Sequence, residues 1–350
     1  MYRGKRIGVA IATYNGQNYL EEQLNSIVRQ TVVPDEIVIS DDGSNDGTVD
    51  VARRFAKAHQ DVVNTIVITN NPKHGIGGNF EWAIKHSTCD IIFICGQDDV
   101  WLPEKVHHVA DVFMQSHSIE MVCHDLKCID ADSNLLPQHQ VNSQMIKLGL
   151  KEGEVVHISR EKYLDAVVSS VIISGPAAAI TRSLAERCLP IPDYLPEDWW
   201  TQFCAVADDT AYFLNETLTY YRIHNSATHS ASIGLWDRIR KTSKTVRGYA
   251  KTVNELLHFS TAARSYLERN DVDPEANVSA FKTIGRVEEI GNKLIEAVGG
   301  GRISGSIKTI KLYKDDIRYR RMGKGNFYVQ LLNVLFVSKK KRRAELGLDE

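Results

Sequence analysis

From Arg6 onward, short runs of β-branched apolar residues alternate with longer stretches in which apolar residues recur every three or four positions. These two periods predict strands and helices in turn, and so an α/β domain with a mostly parallel sheet flanked by helices. Ile7 to Ala12 reads as the first strand; Leu20, Leu24, Ile27 and Val28 mark one face of a helix that cannot continue past Pro34; Glu36 to Ser40 reads as the second strand. Thr48 to His59 carries Val51, Ala52, Phe55 and Ala56 on one helical face, and a strand at Thr65 to Thr69 and a helix from about Asn79 to His86 follow. Ile91 to Cys95 is apolar throughout, as expected of a central strand covered on both faces. Past Met121 the alternation loosens into an apolar run at Met121 to Cys123, a polar stretch to about Glu154, a second run at Val167 to Ile173 and a Gly175-Pro176 turn. A helix from about Trp199 and a β run at Leu218 to Ile223 close this region, and we place a domain boundary near residue 230.

Composition is that of an ordinary globular protein, with 43% hydrophobic and 25% charged residues in 350. The longest candidate for a bilayer span, Phe327 to Val337, has 11 residues and is interrupted by Gln330 and Asn333, too short to cross. With no signal-peptide pattern at the N-terminus, the expectation is a cytoplasmic protein. The six cysteines form no CxxC pair and read as reduced core residues. A net charge of −2 conceals an asymmetry: 18 Lys+Arg against 30 Asp+Glu up to Ser232, then 24 against 14. The basic second part, residues 231–350, reads as a helical region that faces something anionic.

Three polar loops sit at the C-terminal ends of predicted strands, where open parallel sheets bind ligands: Thr13-Tyr14-Asn15, Asp41-Asp42-Gly43-Ser44 and Gln97-Asp98-Asp99. Asp46 and Thr48 are adequately explained as turn and cap residues, whereas Asp41 and Asp42 at the strand end are not, and a carboxylate there, near the chain's first loop, could accept a hydrogen bond from a nucleobase N–H. Asp98 and Asp99 repel one another unless a cation neutralises them, and hard oxygen ligands of this kind suit Mg²⁺ or Mn²⁺. Pro196-Glu197-Asp198-Trp199-Trp200 sets two carboxylates against two of the chain's five tryptophans. Such a grouping suits a sugar ring, with apolar neighbours that raise a carboxylate toward a useful general base. His224 is a weaker candidate ligand. His74-Gly75-Ile76-Gly77-Gly78-Asn79-Phe80 lacks the third glycine of a dinucleotide fingerprint but allows close backbone approach. His107-His108, neighbours on a helix, read as a surface pair with poor metal geometry.

In this order, Ala12-Thr13-Tyr14-Asn15, Asp41 to Thr48, Gln97-Asp98-Asp99-Val100-Trp101-Leu102-Pro103, Glu197-Asp198-Trp199-Trp200 and Tyr221-Arg222-Ile223-His224 resemble the family 2 glycosyltransferases of the GT-A fold. The likeness covers roughly residues 5–230 and is strongest to rhamnosyltransferase-like enzymes of bacterial surface polysaccharide synthesis. It implies that Thr13, Tyr14, Asn15 and Asp42 hold the nucleobase of a UDP- or dTDP-linked sugar. Gly75 and Asn79 would lie near its ribose and diphosphate. Asp98, with Asp99 beside it and His224 completing the site, would hold Mn²⁺ or Mg²⁺. Asp198 would be the base of an inverting transfer, with Glu197, Trp199 and Trp200 against the acceptor. Relatives commonly read Asp-Gln-Asp-Asp where this chain has Gly96-Gln97-Asp98-Asp99. They also often carry Lys or Arg where it has Gly78, so a cation for the diphosphate would come from Lys73, Arg222 or elsewhere.

Phe327 to Val337 with Lys339-Lys340-Lys341-Arg342-Arg343 looks like an interfacial helix with a polybasic flank. That predicts peripheral attachment to the inner face of the cell membrane, beside a lipid-diphosphate-linked glycan acceptor. Two other classes fit less well. A glycoside hydrolase needs no nucleotide loop, and a nucleic-acid binder would interleave aromatic residues with its basic run. A non-catalytic nucleotide-sugar-binding protein is the nearer alternative, because Gly96 thins the metal motif.

Overall fold

In the computed structural model the chain divides into two compact units, Met1–Thr228 and His229–Glu350. The structure describes residues 1–137, 149–169, 172–192, 195–224 and 246–270, with scattered positions from 278 to 296. The first unit holds one nine-stranded sheet. Its parallel part is built from β1 (Ile7–Thr13), β2 (Glu36–Asp41), β3 (Asn64–Thr69) and β4 (Ile91–Cys95), in the spatial order β3-β2-β1-β4. Next come β5 (Val100–Trp101), β6 (Met121–Ile129), β7 (Val155–His157), β8 (Ala178–Thr181) and β9 (Ala211–Arg222). β8 lies antiparallel between β4 and β6, β9 runs parallel to β6, and β5 and β7 pair antiparallel with β9.

Every residue of β2 and β4 is buried. On one face Ile7, Val9 and Ile11 pack with Leu20, Leu24 and Ile27 of α1 (Leu20–Val28), with Val51, Ala52 and Phe55 of α2 (Thr48–Ala58), and with Val106, Val109 and Phe113 of α4 (Lys105–Phe113). Each such side chain contributes about 1.5–3 kcal/mol by leaving water. Alternate strand residues point the other way. There α3 (Gly75–His86) packs on β1 and β2 through Phe80, Ala83 and Ile84. Gly8 is required at that contact, since a Cβ would lie 2.7 Å from Ser87 Oγ and 2.9 Å from Cys89 Cβ.

Helices α5 (Arg160–Ser169), α6 (Arg182–Cys188) and α7 (Glu197–Ala207) follow β7 and β8, and a 3-10 turn, Gly175–Ala177, leads into β8. Val167 to Ser169 of that apolar run therefore end a helix, and Val167 and Val168 are buried on it. All six cysteines are free and buried. In the second unit α8 (Val246–Arg269) buries Phe259, Ala263, Tyr266 and Leu267, a helical stripe, and Arg264 pairs with Glu288 at 2.9 Å. Residues 327–343, the basic segment singled out above, lie outside the described residues. Among those described, no helix is long and apolar enough to cross a membrane.

Candidate active site

The loops after β1, β2 and β4 are tied to one another by side chains. The Gln97 carboxamide accepts from Tyr14 N–H at 2.8 Å and donates to Tyr14 C=O at 3.1 Å. Asn15, in left-handed backbone (φ 50°) that Asn tolerates, accepts from Asn45 N–H at 2.9 Å, while its own N–H donates to Ser44 Oγ at 2.8 Å. Asp41, 1% exposed, accepts from Thr13 Oγ1, Ser44 N–H and Ser44 Oγ at 2.9, 2.8 and 2.6 Å, so its carboxylate is spent on the turn. Thr13 is buried beneath this turn, and Tyr14 stands 46% exposed with Lys73 Nζ 4.0 Å from its ring centroid. Lys73 thus places a cation beside the Asp41–Gly43 loop, where Gly43 (φ 72°) faces its Cε.

Asp42 reaches across to α3: its two oxygens accept from His74 N–H at 2.6 Å and Gly75 N–H at 3.1 Å. It therefore caps the first turn of a helix from a separate loop. Each oxygen keeps a second lone pair. Asn79 does not lie along an open surface. It is 3% exposed, its amide donates to Thr13 C=O at 3.1 Å and its oxygen accepts from Asn70 Nδ2 at 2.9 Å. The expectation of a diphosphate contact is corrected here to that of a brace under the β1 loop.

Asp98 Oδ2 lies 3.0 Å from His224 Nε2, whose ring packs on Tyr19 at 4.6 Å. Asp99 is 1% exposed: Oδ1 accepts from Arg222 N–H at 3.0 Å, and Oδ2 is buried with no hydrogen-bond partner among the described residues. Burial, reinforced by the Asp98 charge, pushes the Asp99 carboxyl above the usual carboxylate range. A Cβ on Gly96 would lie 3.3 Å from Asp98 Oδ1 and 3.4 Å from Asp99 Oδ2, so both oxygens converge on the same point of the chain.

Arg222 is not the cation for a diphosphate. Its guanidinium is buried and donates to Asp98 C=O, to the carbonyls of Asp130 and Ala131, to Ser133 Oγ and, at 2.7 Å, to Glu22 Oε2. It clamps the Asp98 loop to a neighbouring turn and to α1. Of the two candidates, Lys73 is the one beside the strand ends.

On α7, Asp198 is partly exposed; Oδ2 accepts from Gly175 N–H at 3.2 Å and Oδ1 from Trp199 N–H at 2.7 Å. Glu197, 7% exposed, is pushed well above the usual carboxylate range by burial and then by the Asp198 charge. The tryptophans overturn the expectation of a sugar platform. Trp200, 2% exposed, donates Nε1–H to Cys188 C=O at 2.7 Å and stacks on Phe203 at 5.6 Å; Trp199, 9% exposed, donates to Val167 C=O at 2.6 Å. Their faces are packed against protein and their N–H groups bond backbone, which makes them core residues; buried Glu197 is likewise no acceptor contact.

Tyr221 stands near the end of β9, next to Arg222. Its phenol is pushed up by burial and then by the charges of Asp99, Asp98 and Asp198, from both loops. A separate cluster, Glu104, His107 and His108, has atoms within 4.8 Å of one another, because Glu104 supplies a third group the helical spacing of the histidines did not suggest. Its members are already paired, His107 with Glu104 at 3.1 Å and His108 with Glu216 at 2.9 Å, and it reads as a surface ion-pair network.

The first unit is thus a parallel sheet with polar loops at its strand ends, extended through antiparallel β8 to further strands beside which α7 carries Asp198. The model described as Glycosyl transferase family 2 matches residues 8–186, and the chain belongs to that family and is a glycosyltransferase. An uncharacterized glycosyltransferase of Nostoc sp. is 29% identical over 76% of this chain and 80% of its own length. A dTDP-rhamnosyl transferase of Shigella flexneri is 38% identical over 104 residues, 29% of this chain and 36% of that protein, so the match spans about a third of that relative. Among solved structures, S. aureus TarS 1-349 in complex with UDP-GlcNAc superposes with a TM-score of 0.54 at 14% identity, over 97% of this chain and 92% of that one. GalNAc-T7 with UDP, GalNAc and Mn²⁺ gives 0.57 at 13% identity, over 84% and 58%. The fold is the GT-A fold.

Proposed function

We propose that the chain moves a sugar, with inversion, from a UDP- or dTDP-linked donor to a hydroxyl of a glycan acceptor carried on a lipid diphosphate, in bacterial O-antigen or capsule-type synthesis. One observation carries it: the partly exposed Asp198 carboxylate is held by Gly175 N–H, and Lys105 Nζ bonds the carbonyl of the next residue, Pro176, while lying 3.9 Å from the centroid of the Trp101 ring, two residues beyond Asp99. The dTDP-rhamnosyl relative supports the donor class.

In this reading Thr13, Tyr14 and Asn15 shape the nucleobase pocket, and Asp42 accepts the base N–H with its remaining lone pairs. Gly75 lets the α3 N-terminus approach the diphosphate, and Lys73 balances its charge. Asp198 takes the proton of the acceptor hydroxyl as that oxygen attacks the anomeric carbon, and the bond to the diphosphate oxygen breaks on the opposite side. The residues present suit a divalent ion: Asp98 and His224 offer an oxygen and a nitrogen 3.0 Å apart, and the partnerless Asp99 Oδ2 lies behind them. Mn²⁺ or Mg²⁺ held by Asp98 and His224, when bound, would stabilise negative charge on the leaving diphosphate.

The test is release of nucleoside diphosphate from a panel of UDP-, dTDP- and GDP-sugars, with metal or EDTA, beside Asp198→Asn. The expected result is slow, metal-dependent release from one donor that falls at least about 100-fold in the variant. Nucleotide binding with no turnover of any donor, acceptor included, would mark a non-catalytic protein instead.

A further inference from the structure

Lys105, the first residue of α4, is fully buried. A lysine at that depth ordinarily finds a carboxylate or gives up its charge. Here the ammonium donates to Pro176 C=O at 2.8 Å and to Thr219 Oγ1 at 2.9 Å, and it lies 3.9 Å from the centroid of the Trp101 ring. Those three directions account for its three N–H bonds.

Each contact leads to a different part of the site. Trp101 follows Asp99 by two residues and sits opposite Thr219 in the β5–β9 register. Pro176 follows Gly175, whose N–H donates to Asp198 Oδ2, and the turn is closed by Ala177 N–H on Ser174 C=O at 3.0 Å. Gly175 is packed so closely that a Cβ there would lie 3.1 Å from Asp198 Cβ. A displacement of this turn would therefore carry Asp198 with it. Burial pulls the Lys105 ammonium down, while the Asp99 charge pulls it up, so the lysine also acts electrostatically on the donor loop.

We propose that Lys105 is a positioning residue: its ammonium bonds the Gly175–Ala177 turn and, through it, fixes the Asp198 carboxylate relative to the Asp98–Asp99 loop. This rests on the reading of Asp198 as the base. A hydrogen bond to a backbone carbonyl serves this purpose because it is directional.

The experiment is a double-mutant cycle of Lys105→Met, which keeps the stem and loses all three contacts, with Asp198→Asn. It is read alongside amide hydrogen exchange over residues 174–178. Lys105→Met is expected to lower kcat about tenfold or more with donor KM changed less than about threefold. In the Asp198→Asn background it adds less than about twofold. Exchange in 174–178 quickens about tenfold or more while β1 to β4 stay protected. Additive losses, or wild-type kcat in Lys105→Met, overturn the proposal. Should Lys105→Met fail to fold, Thr219→Val removes one acceptor and is expected to give a smaller, equally non-additive loss; additivity there overturns it too. Wild-type protein that turns over no donor overturns the reading of Asp198, whereas unchanged exchange in 174–178 overturns the role of Lys105, so the two failures are separate.

Discussion

Trp200 and Lys105 show how far a residue type alone can mislead or stay silent. Two tryptophans beside two acids resemble a sugar subsite, yet the indole N–H of Trp200 bonds Cys188 C=O and its ring stacks on Phe203. Trp200→Phe should therefore cost about 1–3 kcal/mol in denaturant unfolding, the penalty of a stranded buried carbonyl, and leave acceptor KM within about twofold. Lys105 reads from sequence as one more helical lysine; only its partners, 70 and more positions away, show what it holds. Its titration gives a signed expectation. Burial brings the ammonium from 10.5 to about 7, so between those values the unfolded chain binds the proton and the folded chain does not. This group's contribution to stability rises with pH across that window, by up to about 1.4 kcal/mol per unit. In Lys105→Met that slope should be gone when urea unfolding is compared at pH 7, 8 and 9. Asp198 and Asp98 were legible because carboxylates at strand and helix ends announce themselves. Tyr221 and Gly175 were not, since their importance comes from groups remote in sequence.

At the scale of elements, the first four strands fall within a residue or so of the pattern that predicts them, because their apolar runs are continuous and bounded by turns. The α3 helix departs from its pattern, beginning at Gly75 rather than near Asn79. Its first turn is rich in glycine, which no local rule would make helical; the cap that holds it is the Asp42 carboxylate from another loop. β6 runs to Ile129 and β9 from Ala211, both well beyond their apolar stretches, because each pairs with the other for most of its length. The glycines of α3 have a further use. A Cβ on Gly77 would lie 2.6 Å from the backbone oxygen of Leu195, just before α7. Gly77→Ala should force α3 and the entry to α7 apart, costing about 1–3 kcal/mol in thermal or denaturant unfolding. It should also lower turnover, since these elements carry Gly75 and Asp198.

For the molecule as a whole, the charge asymmetry read from sequence places the acidic excess in the unit that holds the carboxylate site and the basic excess after it. Anionic vesicles should bind the full chain and lose most of it on deletion of residues 324–350, each basic residue contributing about 1 kcal/mol; flotation measures this, and undiminished binding would refute membrane attachment. The sheet itself has a seam. Up to β4 it is parallel and its loops carry most of the proposed donor contacts; at β4 it meets antiparallel β8, and the mixed strands beyond support the turn and helix that present Asp198. In the proposed reading the donor residues lie mostly before residue 113, with His224 returning from the end of β9, and the base lies after residue 155. On that reading, a lineage that keeps the first stretch together with His224 while remodelling the rest of the second would gain new linkages and still draw on the same donor.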